Sequence, residues 1–113
     1  MKIRTDRLAL LAYYLPSIPK DQFSLVSWHH CAIGWATKIP EFVVEGFKMT
    51  DETASMPAYK KWINWTAVGK FFGLTKDEAE YLFSMFKYNH PYITAPIFVA
   101  QRINKFIQDV HGV

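Results

Sequence analysis

Cysteine is nearly missing from this chain. Cys31 is the only one among 113 residues, so no intramolecular disulfide can form, and a reducing compartment is expected. Also missing is any apolar run close to the roughly 18 residues that a membrane span requires. Residues 1–19 do place basic side chains ahead of an apolar run, as a secretory signal does. Asp6 interrupts them, however, the run 8–15 is short, and no small-residue cleavage site follows. A cytoplasmic location without a membrane partner is the expectation. The chain lacks a polybasic block as well. Its 13 Lys and Arg against 10 Asp and Glu give a formal charge of +3, and the basic residues are scattered, with only Lys60 and Lys61 adjacent. No nucleic-acid or membrane-binding tail is therefore encoded, and any basic patch has to be gathered by folding. No internal repeat or low-complexity tract is visible.

What the chain has in quantity is apolar and aromatic material: 50% of residues are hydrophobic and 17% aromatic, with nine Phe, six Tyr and four Trp. A chain of this length can bury about two thirds of its unfolded surface without a disulfide or metal staple, so residues 1–113 are read as a single domain. The rings exceed what such a domain readily buries. Some are expected on the surface, where large aromatics favour protein contacts, self-association included.

The patterning predicts a mainly α fold of about five helices with a short β-hairpin near residues 46–62. Leu8, Leu11, Ala12 and Leu15 keep helical spacing behind a cap at Thr5 or Asp6, and Pro16 ends that helix. Phe23, Leu25 and Trp28 precede a short buried helix over residues 31–36, in which Ala32, Gly34 and Ala36 allow close backbone approach. Pro40 suits the first position of a further helical turn. Between Gly46 and Trp62 the helical period is lost, Phe47 and Met49 alternate with polar neighbours, residues 51–55 are turn-like, and residues 58–62 alternate again. A helix with Trp65, Val68, Gly69 and Phe72 on its inner face follows, capped by Asn64 or Thr66 and stopped by Gly73. Thr75 and Glu78 form a capping box for the next helix, whose stripe is Ala79, Leu82, Phe83 and Phe86. Thr94 caps the last, with Val99, Ala100, Ile103, Phe106, Ile107 and Val110 inward.

Three segments carry a resemblance. They are Cys31-Ala32-Ile33-Gly34-Trp35-Ala36 with Ile39-Pro40-Glu41-Phe42; Phe71-Phe72-Gly73-Leu74 with Glu78-Ala79-Glu80-Tyr81-Leu82-Phe83; and Thr94-Ala95-Pro96 with Val99-Ala100-Gln101-Arg102-Ile103. Together, over roughly residues 8–110, they resemble a group of small proteins of bacteria and their phages whose function is not characterised. The resemblance implies a family and a phage-associated setting but no activity. Members of that group often carry a second cysteine shortly before the Cys31 position and a histidine at the Trp35 position. This chain has neither, so the resemblance supplies no metal or catalytic role for the segment.

Three constellations could carry chemistry. In Trp28-His29-His30-Cys31 a thiol at a helix N-terminus beside an imidazolium would have a lowered pKa and could act as a nucleophile. Adjacent histidines point apart, no Asp or Asn is placed to orient either ring, and a lone Cys among small residues usually serves as a small hydrophobe. The same trio lacks metal-ligand spacing, with His90 and His111 distant singletons. No cofactor is expected, and an enzyme is the less favoured class. The second constellation is a helix-turn-helix pattern in residues 68–82, with Gly69, Gly73, Leu74, Ala79 and Leu82 at the required intervals. Its second helix opens Lys76-Asp77-Glu78 and continues to Glu80, setting three carboxylates against one ammonium where phosphates would approach. The third is an aromatic and basic set of partner-binding candidates: Tyr59, Lys60, Lys61, Trp62, Trp65, Lys70, Tyr88 and Tyr92. Such a surface suits a protein partner or single-stranded bases. A regulatory or binding module acting through protein contacts is the favoured reading, with a DNA-binding regulator second and a thiol enzyme third.

Overall fold

The computed structural model describes residues 2–50 and 56–111. The order of elements is α1 (Thr5–Tyr14), α2 (Ala32–Ala36), α3 (Pro40–Val44), β1 (Phe47–Met49), β2 (Pro57–Tyr59), β3 (Trp62–Ile63), α4 (Asn64–Phe72), α5 (Lys76–Phe83) and α6 (Pro96–Val110), with 3-10 turns at Leu15–Ser17, Lys20–Gln22 and Met85–Lys87. The fold is mainly α with a short antiparallel sheet in the order β1-β2-β3, as the patterning predicts. Two details differ. The turn at Pro40 is a full short helix, which makes six α-helices among the described residues. The hairpin also gains a third strand, whose two residues are too few to show a period. The turn-like residues 51–55, Asp51 and Glu52 among them, lie outside the described residues. None of the described helices is long and apolar enough to cross a membrane.

Register explains where the sheet sits. Phe47 lies opposite Tyr59, and Tyr59 opposite Trp62, so these three rings share one face, which packs on α4. Phe47 stacks on Phe71 of α4 with ring centroids 4.3 Å apart, and Phe42 of α3 meets the same ring edge-on at 4.9 Å. Phe42, Phe47, Phe71 and Phe72 are fully buried. This aromatic block is the middle of the core, and α1, α5 and α6 close around it. Offset and edge-to-face ring pairs add a little to the area term that dominates.

Helix ends follow local chemistry where that chemistry is unopposed. Gly73 adopts φ 71, ψ 38 and stops α4. An alanine there would be strained, and its Cβ would also run into the backbone carbonyl of Lys2. At the start of α5, Thr75 Oγ1 accepts from Glu78 N at 3.2 Å while Glu78 Oε1 accepts from Thr75 N at 2.9 Å, a complete capping box.

Five expected boundaries are corrected. Arg4 occupies the cap position of α1, because Asp6 is held by Arg4, whose Nε donates to Oδ1 at 3.0 Å. That helix ends at Tyr14, with Pro16 inside the following 3-10 turn. Neither Asn64 nor Thr66 caps α4, since Ile63 takes the position and Asn64 sits at φ 61. Thr94 does not cap α6, since its hydroxyl donates to His90 O at 2.7 Å and Ala95 takes the cap position. Finally, α5 stops at Phe83, because Ser84 turns extended and its Oγ accepts from Phe86 N at 3.2 Å. That break swings Phe86 out of the expected stripe and leaves it 85% exposed.

Candidate interaction face

The sheet-to-α4 junction concentrates lysines on rings. Lys60 holds the left-handed turn position between β2 and β3 at φ 55, and its Nζ lies 5.3 Å from the centre of the Tyr59 ring. Lys61 and Lys70 both place their ammonium groups over Trp62, at 5.5 and 4.9 Å. Lys70 reaches Trp62 because α4 follows β3 directly and turns its exposed side toward the strand. None of these three lysines has a carboxylate within ion-pair distance among the described residues. An ammonium over a ring keeps its outward N–H groups free to bind an anion.

Beside this array runs a cleft of about 470 Å³ lined by Asn64, Trp65, Thr66, Gly69, Lys70, Leu74 and Lys76. Among the described residues it is lined by two lysines and no carboxylate. The wall formed by Trp65 is steadied from behind by Trp28, with ring centroids 5.0 Å apart. Trp62 and Trp65 are part-buried against the core. Gly69 forms the floor where the α4–α5 turn folds back: Leu74 N donates to Gly69 O at 2.8 Å, and a Cβ on Gly69 would stand 2.8 Å from Leu74 O.

The eight partner-binding candidates thus separate into two groups. Tyr59, Lys60, Lys61, Trp62, Trp65 and Lys70 come together on one face, although Tyr59 is itself 9% exposed and serves as a platform rather than as a contact surface. Tyr88 and Tyr92 lie elsewhere, in the connection between α5 and α6. Tyr88 is committed internally: its hydroxyl donates to Leu82 O at 2.6 Å, burial pushes its pKa up, and Arg102 stacks on its ring at 3.8 Å. Tyr92 stands 76% exposed, and Ile93 and, on α6, Ile97 and Phe98 are exposed as well.

Two arginines essential to this geometry escape sequence reasoning. Arg7, 8% exposed, donates to Phe71 O at 2.7 Å, lies 4.0 Å from the Phe71 ring centre and faces Glu45 at 3.5 Å. Arg102 donates to Tyr81 O and Lys87 O, both at 2.8 Å. The available signal was position: Arg7 precedes Leu8 and stands four residues before Leu11 on the apolar side of α1.

The Cys31 segment folds as a structural corner. Cys31 occupies the N-cap position of α2 and is buried; its thiol donates to Trp28 O at 3.7 Å. Burial pushes the thiol pKa up, outweighing the backbone N–H groups of Gly34 and Ile33 that pull it down. This is the reverse of the direction expected for a nucleophile, since desolvation of a thiolate costs more than a five-residue helix returns. His29 and His30 are exposed, with ring centroids 6.4 Å apart. No group of three or more His, Cys, Asp or Glu among the described residues could hold a metal ion.

The α4–α5 pair has the tight turn expected of the helix-turn-helix pattern, with Gly69, Gly73 and Leu74 in the anticipated places. The exposed side of α5 presents Lys76, Asp77, part-exposed Glu80 and Tyr81, and Lys76 and Glu80 face one another at 3.9 Å. No family model matches the chain, and no curated protein or solved structure matches it at a significant level.

Proposed function

We propose that the chain is a small binding module that recognises an acidic segment of a protein partner through Lys60, Lys61, Trp62, Trp65, Lys70 and Lys76. The observation that carries this reading is the row of ammonium groups seated on rings without carboxylate partners among the described residues, beside a cleft whose charged lining residues are Lys70 and Lys76. Nucleic acid fits the same face less well. The Trp62 ring already carries two ammoniums, both tryptophans are part-buried, and Asp77 and Glu80 stand on the adjacent helix where a phosphate track would continue. An intracellular setting is supported by the unpaired Cys31, and a setting in bacteria or their phages by the segment resemblance. Self-association is a second reading, favoured by the exposed apolar side chains of Tyr92, Ile93, Ile97 and Phe98 before and at the start of α6.

Fluorescence polarisation with labelled hexaglutamate and a labelled fifteen-residue oligo-dT tests the first reading. Hexaglutamate is expected to bind with an affinity that falls as salt rises, and the double variant Lys61→Glu, Lys70→Glu to lose at least roughly tenfold. Tighter binding of oligo-dT, lost in the same variant, would replace the protein partner with nucleic acid. Analytical ultracentrifugation tests the second reading, which fails if the mass stays monomeric at all concentrations.

A further inference from the structure

Trp65 is shared by two clefts. One is the lysine-lined cleft along α4. The other, of about 420 Å³, is walled by Leu25, Trp28, Phe83, Met85 and Phe86, with Cys31 also lining it. Its volume falls in the range of about 300–1,000 Å³ typical of ligand pockets, and its mixture of rings, aliphatic groups and few polar atoms is that of a site for an apolar group. The charges divide in the same way. The first cleft is lined by Lys70 and Lys76 without a carboxylate, whereas Glu80 and Lys87 balance each other around the second.

We infer that the partner segment is bipartite, an acidic run joined to one large apolar side chain that enters the cleft between Trp65 and Phe86. This rests on the acidic-segment reading above and extends it. The shared Trp65 and the start of α5 set the order of parts. On α5, Lys76 borders the first and Glu80 the second, one helical turn apart and in contact with each other. A turn advances about 5.4 Å, and an extended chain covers that in about two residues. The apolar side chain therefore lies about two to four residues from the nearest bound carboxylate. The second cleft, lined by Glu80 as well as Lys87, offers no net positive charge, whereas Lys70 and Lys76 hold the acidic run beside the first. Phe86, put on the rim by the Ser84 break, supplies exposed apolar surface that the entering side chain covers.

The test is a peptide series measured by fluorescence polarisation: labelled hexaglutamate extended by one to eight glycines and then Leu, Trp or Ala. Leu or Trp at a spacing of about two to four is expected to bind roughly tenfold more tightly than Ala at the same spacing, with the gain fading at longer spacers. In Phe86→Ser that Leu-to-Ala ratio falls toward one. In Val44→Ser, which alters an exposed side chain on α3, the ratio stays as in the parent chain. Equal binding of Leu and Ala peptides at every spacing, with hexaglutamate still bound, overturns the bipartite segment and leaves the acidic reading standing. A gain that survives Phe86→Ser overturns the placement in this cleft. Failure of every peptide to bind overturns both readings.

Discussion

Arg7 and Lys70 make the same kind of contact in two different solvents. Each lays a cation over an aromatic ring, at 4.0 Å on Phe71 for Arg7 and 4.9 Å on Trp62 for Lys70. Inside, the guanidinium also donates to Phe71 O and faces Glu45, so the charge is paired and one of its N–H groups is bonded within the core. Outside, the ammonium has the ring and no carboxylate partner among the described residues. The interior contact joins α1 to α4, and the exterior one leaves a cation held in place for something else. A ring–cation pair is thus structural or receptive according to what its remaining N–H groups meet.

Substitutions that remove one side at a time sharpen this contrast. Arg7→Met keeps the apolar stem but deletes a charged hydrogen bond and the ring contact in a buried position; it is expected to cost about 3 kcal/mol in urea unfolding. A loss below about 1 kcal/mol would mean that the interior pair is no more structural than the exterior ones. Arg102→Met is the intermediate case, since the guanidinium ties α6 to Tyr81 O and Lys87 O while still part-exposed. Thermal and urea unfolding should show a loss of about 1.5 kcal/mol.

The buried thiol supplies a titratable reporter of the same interior. With its pKa raised in the folded chain, the unfolded thiol ionises first as pH climbs. Its stabilising effect is complete below the ordinary thiol range and declines through and above it. Relative to Cys31→Ala, the parent chain should lose stability as pH rises through and above the ordinary thiol range, and iodoacetamide should label Cys31 only after unfolding. Rapid labelling of the native chain at neutral pH would point back to thiol chemistry. Smallest of all, Lys61→Gln with Lys70→Gln should shift stability by less than about 0.5 kcal/mol, although both lysines touch Trp62. A larger destabilisation would show that the exterior pairs hold the fold.

How much of this the sequence disclosed depends on the range of the interactions. Gly73 and the Thr75–Glu78 box were legible because each is complete within four residues. The inward stripe of α6 was legible at Val99, Ala100 and Ile103 because periodicity registers burial directly. Arg7 was not, since its acceptor lies 64 residues away and a charged side chain on an apolar helix reads as its solvated edge. Phe86 was misassigned because the helical period runs on through Ser84, whose hydroxyl competes for the backbone at a position no periodic pattern records. For the interaction face, residues 59–62 with Trp65 and Lys70 lie close in the sequence, and β2, β3 and α4 keep them together in the fold. Their separation from Tyr88 and Tyr92 depends on how α6 is fastened, which composition cannot express.

The Arg7–Phe71 bond also bears on time. It closes a loop of more than half the chain, so the entropy of that closure is lost before the contact returns anything. α1 can acquire helical turns early, but its seat exists only once α4 has formed and the sheet has folded over it. Docking of α1 should therefore come late in refolding, and a truncated chain ending before residue 64 would leave Arg7 with no place to go.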